Sequence, residues 1–278
     1  LDLCTEKNFF CFIDISHLFS LIKNWIVIVK KLDTIYKIFK NTNIKEEFII
    51  IHSDIVSLAF NNFSLEKLWQ IIFDGLGNDK TFIFPTFTFN RNKIWSYHES
   101  KSETGILSEY FRKNIATKRT VHPIHSVSIF GKNFKEIPNH NCSSSFGKGS
   151  IWEWLCTNKN VCNLSLGVKL DGGASICHFP EELIGVNYRE YIEIKDKIYG
   201  YNKKLIKKKF SYYARKINKA GEGFNNWANC ERDLLKAKIM KRKFYFQNRY
   251  PISVMNTREA SQFIISRLKK NSSYIGKF

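Results

Sequence analysis

No run of about twenty apolar residues occurs in this chain, so no segment has the length of a membrane-spanning helix. The most apolar window, Phe9 to Val29, is broken by Asp14, His17, Lys23 and Asn24, and it lacks a basic start and a small-residue cleavage site. It reads as neither signal peptide nor anchor but as an amphipathic helix packed on the body or on another subunit. Paired cysteines are missing as well. The seven, at 4, 11, 142, 156, 162, 177 and 230, form no C-x-x-C and leave one over if the rest are joined. That excludes a disulfide-stapled scaffold and suggests reduced thiols in a cytosol. Acidic residues are few, 25 against 44 Lys and Arg, and the formal charge of +19 points to an anionic partner or substrate. Proline is scarce and Asn, Lys and Ile are abundant, as in an AT-rich genome, so part of that charge is attributable to codon drift. What is present is ordinary for a globular chain of 278 residues: 44% hydrophobic, 15% aromatic, with neither disordered nor collagen-like composition.

The apolar run Phe48 to His52 (FIIIH) predicts a strand buried on both faces. Ser64 to Gly77 has an N-cap serine, apolar residues at 65, 68, 69, 72, 73 and 76 and a closing glycine, which predicts a helix. Strand Thr81 to Phe84, helix Thr104 to Lys113, strand Ser126 to Phe130, helix Ser150 to Leu155 and strand Val161 to Leu166 continue the alternation. Strands separated by helices argue for an α/β layered fold with a parallel or mixed sheet. After Tyr188, short strands at 191–194, 197–201 and 210–214 enclose the basic run 203–209, a hairpin-rich basic insertion over 189–222. A helix over 227–238, strands at 243–247 and 252–255, and a helix over 257–270 capped by Thr257 close the chain. A single domain over 1–278 is expected, with 1–34 as an N-terminal helical extension whose apolar face suits dimerisation.

The strongest chemical constellation is His178-Phe-Pro-Glu181, directly after the glycine-bearing loop 166–175. Three residues apart on a helical turn, the carboxylate can fix the ring tautomer and stabilise the imidazolium, which makes a general base with its orienter. A surface pair produces the same spacing, and Pro180 suits helical geometry best in a first turn. His122 and His125 in Thr120-Val-His-Pro-Ile-His-Ser126 lack a neighbouring Cys or carboxylate cluster to complete a metal site, so a Pro123 turn is preferred, with Thr120 and Ser126 open to a ligand. Phe146-Gly-Lys-Gly-Ser150 places two glycines at a helix start, where backbone N–H groups suit phosphate. His52-Ser53 ends the first buried strand, the position where α/β folds place ligand contacts, though a simple turn reads the same. The run 203–209, flanked by Tyr199, Tyr201, Phe210, Tyr212 and Tyr213, is either a solvated hairpin tip or a place for phosphates or single strands.

Taken in order, His52-Ser53, Phe84-Pro-Thr-Phe-Thr88, Gly105 to Arg112, His122-Pro-Ile-His-Ser-Val127 with Gly131, Phe146-Gly-Lys-Gly-Ser-Ile-Trp152, Leu166-Gly-Val168 with Asp171, and His178-x-x-Glu181 resemble the aminoglycoside 3-N-acetyltransferase (antibiotic N-acetyltransferase) family. The resemblance covers about residues 35 to 190 well and the rest loosely. It implies a three-layer α/β/α sandwich with a mixed sheet, acetyl-CoA as donor and co-substrate, no metal, and acetyl transfer to a sugar amine through a ternary complex. It implies His178 as catalytic histidine and Glu181 as its carboxylate partner. His52, Ser53, Thr86, Thr120 and Ser126 fall where the family lines the coenzyme and acyl site, and Asp171, with Glu182, falls on the acceptor side. Asp54 and the pair Asn61-Asn62 depart from the serine and the glycines usual there, which alters the phosphate cradle.

Aminoglycosides are polycations and favour acidic clefts, whereas this chain is strongly basic. The expectation is therefore a cytoplasmic N-acetyltransferase acting on an anionic amino sugar, nucleotide- or lipid-linked, in surface-glycan synthesis. An aminoglycoside 3-N-acetyltransferase conferring resistance is the alternative. A basic nucleic-acid-binding protein using 203–209 is the alternative of another class, although nucleic acid is not the expected partner.

Overall fold

The computed structural model describes residues 33–55, 64–90, 92–138, 142–173, 175–216, 224–245 and 248–277. The expected N-terminal helix, the dimerisation segment, Asn61-Asn62 and two of the cysteines, Cys4 and Cys11, lie outside them. A helix over 33–40 (α1) leads into β1 (Phe48–Ser53), α2 (Leu65–Leu76), β2 (Thr81–Pro85), β3 (Ile94–Ser96) and α3 (Ile106–Asn114). Then come β4 (Lys118–Arg119), β5 (Val127–Gly131), α4 (Ile151–Thr157), β6 (Val161–Leu166) and α5 (Ser175–Ile184). The C-terminal third holds β7 (Arg189–Ile194), β8 (Lys197–Tyr199), β9 (Phe210–Arg215), β10 (Phe224–Asn225), α6 (Trp227–Lys236), β11 (Met240–Tyr245), β12 (Tyr250–Asn256), α7 (Thr257–Lys270) and β13 (Gly276–Lys277).

Seven strands form one mixed sheet in the order β11-β12-β6-β1-β2-β5-β4. The central β6, β1 and β2 are parallel, and antiparallel strands flank them on both sides. Alternation along β1 shows why the sheet needs two covers: Phe48 and Ile50 enter the core with α4, α5, α6 and α7, while Ile49 and Ile51 enter the one with α1, α2 and α3. This is the three-layer α/β/α arrangement that the apolar run FIIIH demands. Each of these four side chains is at most 2% exposed, and each contributes roughly 1.5–3 kcal/mol by burial.

Local signals operate as expected at several ends. Ser64 caps α2 by accepting from the Lys67 N–H at 3.1 Å, and Gly77 closes it with φ +111°. Three expectations shift. The cap of α7 is Asn256, whose Oδ1 accepts from Arg258 and Glu259, while the Thr257 hydroxyl donates to the Leu155 carbonyl at 2.5 Å. Helix α3 begins at Ile106 because the Thr104 hydroxyl is tied to the Pro85 carbonyl. Strands β11 and β12 are longer than their apolar cores, since six residue pairs zip the hairpin.

The insertion is not a row of hairpins. β7 pairs with β9, while β8 between them leaves to run parallel to β3. The reason is a satellite core of Trp95, Ile124, Ile194, Ile198 and Phe210, which draws β8 onto β3. The tight reversal expected near the basic run survives as a single bridge, Tyr199 to Leu205, with Lys203 at φ +59°. Cys142, Cys156, Cys162, Cys177 and Cys230 are free thiols. No described helix is long and apolar enough to cross a membrane.

Candidate active site

Helix α5 carries Ser175, His178, Glu181 and Glu182, and His178 lies three residues from Ser175 and Glu181 and four from Glu182, so each is its neighbour on the helix surface. Pro180 lies in its interior rather than its first turn. Proline has no N–H to offer the Ile176 carbonyl four residues back, and the Cys156 thiol contributes a weak bond to that carbonyl instead, 3.7 Å away. The turn between His178 and Glu181 thus stays helical.

His178 Nδ1 lies 2.7 Å from Glu181 Oε2. A carboxylate accepts only, so Nδ1 carries the hydrogen and the lone pair sits on Nε2. Among the described residues Nε2 has no hydrogen-bond partner. The ring stands between Phe146 and Trp227, with centroids 4.9 and 5.6 Å away, and its side chain is 25% exposed. Glu181 is fully buried, receives the Tyr188 hydroxyl at 2.9 Å and pairs with Arg189 Nε at 2.9 Å. Burial works against its charge, yet the His178 bond and the Arg189 cation hold its carboxyl below the usual range. Burial pushes the His178 imidazole down, against the pull of Glu181. The result is a neutral, oriented imidazole with an ion pair behind it.

His52, at the end of β1, joins this helix by a 3.0 Å bond from Nε2 to the Ser175 hydroxyl. Burial lowers its imidazole to about 4, with a smaller opposing effect of Asn163. Gly173 packs against it so closely that a Cβ there would lie 3.2 Å from His52 Cβ and Cγ. His52 and Ser53 line a cleft of about 220 Å³ with Pro85, Phe87, Phe89 and Ser175. Ser53 Oγ is buried with no partner among the described residues, a vacant donor and acceptor of the kind a bound polar group satisfies.

The other expected residues are placed differently. Thr86 and Ser126 are fully buried and belong to a network around Arg119: Arg119 Nε donates to Ser126 Oγ at 3.0 Å, and Ser126 Oγ donates to the Thr86 carbonyl at 2.8 Å. Neither lines the cleft that His52 and Ser53 share. Thr120 accepts from the Val127 N–H at 2.9 Å beside a small polar pocket with His122, His125 and Ser145. His122 Nδ1 accepts two backbone N–H groups, and His125 Nδ1 bonds to Ser145 Oγ at 2.7 Å, so both rings are structural. Among the described residues no group of three or more His, Cys, Asp or Glu is placed to hold a metal ion. The glycines before α4 hold no open anion cradle, because Glu153 of the helix itself accepts from the Gly149 N–H at 2.6 Å. Asp171 is exposed on the turn before α5. Glu182 is buried and receives the Ser144 hydroxyl, the Tyr191 hydroxyl at 3.1 Å and the Phe146 N–H at 3.3 Å, so it anchors the loop that carries Phe146.

Sequence reasoning missed Tyr188, Arg189 and Trp227. Arg189 alone had a signal, a lone cation at the start of a strand following the buried carboxylate.

The family model for aminoglycoside 3-N-acetyltransferase matches residues 50–269. No curated protein sequence matches the chain. Among solved structures, the chain is similar to aminoglycoside acetyltransferase AAC(3)-IVa as apoenzyme, at 16% identity and TM-score 0.69 over 88% of this chain and 90% of that one. It is similar to sisomicin-bound AAC-VIa at 12% identity and TM-score 0.72, over 86% and 97%. The YokD protein from Bacillus subtilis matches at 17% identity and TM-score 0.68, over 86% and 99%. At these identities the structures speak for the fold.

Proposed function

The chain belongs to the aminoglycoside 3-N-acetyltransferase family, and on that footing we propose that it transfers the acetyl group of acetyl-CoA to an amino group of an aminoglycoside. The observation that carries the chemistry is the His178–Glu181 pair with Nε2 turned free between two aromatic rings. His178 Nε2 takes the proton from the amine as nitrogen attacks the thioester carbonyl, directly or through one water. The C–S bond then breaks, and the proton on His178 is available to the departing thiolate. Glu181 holds the ring in place and steadies the imidazolium, while Arg189 keeps Glu181 ionised.

Ser53 and His52 line the acyl end of the coenzyme site in this reading. The cleft beside them suits a slim acyl-thioester arm rather than a whole coenzyme. Asp171, exposed at the approach to α5, is the carboxylate offered to the acceptor. The formal charge of +19 favours a second reading, an anionic amino sugar as acceptor.

Release of free thiol from acetyl-CoA, measured in parallel with aminoglycosides and with nucleotide-linked amino sugars, separates the two. Turnover with aminoglycosides alone is the expected result. Turnover only with the nucleotide-linked sugars transfers the proposal to the second reading, and no thiol release with either rejects both acceptor classes.

A further inference from the structure

A second cleft, of about 570 Å³, is lined by α3 and by β4 at the edge of the sheet. None of the residues assigned above to acyl transfer lines it. Its walls hold five cations, Lys101, Arg112, Lys113, Lys118 and Arg119, against two carboxylates, Glu99 and Glu109. One of those carboxylates is already spent: Glu109 accepts from Arg112 Nε and Nη2, both at 2.7 Å, and from the Ser102 N–H.

Arg119 is the unusual member. It is 4% exposed, yet every acceptor it meets is neutral: Ser126 Oγ, the Tyr97, Ser100 and Thr86 carbonyls, and Thr88 Oγ1. The carboxylate that acts on its charge is Glu109, which Arg112 already holds. These acceptors engage all five of its N–H groups, so Arg119 adds charge to the wall but no free donor, while Lys118 Nζ spends one N–H on the Ile137 carbonyl at 3.0 Å and keeps two.

Rings complete the cleft. Tyr97, His98 and Tyr201 cluster with centroids 4.9 to 5.3 Å apart. Tyr201 meets Tyr97 at 87° and is 70% exposed, so most of its surface is left uncovered. It stands at the turn that opens the basic run, the feature that acyl transfer leaves unused. Cations together with an exposed ring suit phosphate joined to a base, and a cleft of this size holds one such unit rather than a strand.

We propose that this cleft binds a nucleoside phosphate, with its base stacked on Tyr201 and its phosphates among Lys101, Lys113 and Lys118. The site goes beyond the acetyl-transfer reading and does not depend on it. The same chemistry is offered by the nucleotide half of coenzyme A and by a separate nucleotide.

Isothermal titration of the protein with ADP, inorganic phosphate, pantetheine and coenzyme A tests it. ADP is expected to bind more tightly than phosphate, and pantetheine not to compete with it. Tyr201→Ala is expected to weaken ADP roughly fivefold to a hundredfold, the range for loss of one base–aromatic stack. Tyr201 is exposed, as are Lys101 and Lys113, so the double reversal Lys101→Glu, Lys113→Glu gives a second variant that keeps the fold. It should reduce affinity at least as much and flatten the salt dependence.

Displacement of ADP by coenzyme A assigns the site to the coenzyme's nucleotide half, and simultaneous binding assigns it to a separate nucleotide; both support the site. Absence of ADP binding, phosphate binding as tightly as ADP, or affinity unchanged in both variants overturns it. His178→Ala protein should bind ADP like the parent, so failure of the acetyl-transfer reading and failure of this site are distinct results.

Discussion

Replacing Glu181 by Gln keeps the side chain's shape but removes the charge that supports His178 and pairs with the buried Arg189, so some loss of stability accompanies the loss of rate. Two hydrogen-bond donors meet the carboxylate, His178 on Oε2 and Tyr188 on Oε1, and the Arg189 cation pairs with Oε2. A hydroxyl can turn to accept whereas the His178 Nδ1–H and the Arg189 cation cannot, so the Gln amide nitrogen faces Tyr188 and its oxygen faces His178. The ring keeps its tautomer, and what disappears is the support for the imidazolium. A charge-assisted hydrogen bond is worth about 1.5–3 kcal/mol, so the acetyl-transfer rate should fall roughly 10- to 150-fold.

The sign of the pH effect follows from the same geometry. His178 must be neutral to act, and burial already holds its pKa below the usual value for histidine. In the parent the acidic limb of the rate profile therefore lies below pH 6.5. Without Glu181 to favour the charged ring, the limb moves further down. Initial rates of thiol release between pH 5 and 8 read both effects. A rate within threefold of the parent, or a limb that moves up, refutes Glu181 as the stabiliser of the charged ring.

Other perturbations test the surrounding structure. His52 has its pKa lowered from 6.5 to about 4, so its contribution is complete above pH 6.5 and is lost as pH falls toward 4, about 3 kcal/mol in all; in urea titrations, His52→Asn protein should lose less stability over that interval than the parent. Arg242→Met strands Glu231, which Arg242 holds at 2.6 and 2.8 Å; breaking such a pair costs roughly 3–5 kcal/mol, and an unchanged midpoint contradicts its importance. Gly131→Ala places a Cβ 2.6 Å from Thr81 Cα at φ +136°, so the variant should melt lower than the parent by differential scanning calorimetry.

The layered fold was legible because β1 carries a continuous apolar run, Phe48 to Ile51, that needs cover on both faces, and because Ser64 and Gly77 mark the ends of α2. The spacing of His178 and Glu181 was legible for the same reason, since three residues make one helical turn. What the chain pattern did not carry was distance across the fold. Nothing local says that β8 leaves its neighbours to pair with β3, which depends on a satellite core assembled from residues about a hundred positions apart. Likewise, Arg119 draws Ser126 into its own network, although its hydroxyl reads as open to a ligand in sequence.

The most direct test is the rate of acetyl transfer by His178→Gln protein against the parent, with coenzyme binding and thermal unfolding measured on the same samples. Removal of a general base should lower the rate by about 10²- to 10⁴-fold, with coenzyme affinity and fold retained. A rate within tenfold of the parent in a folded, coenzyme-binding variant contradicts His178 as the base.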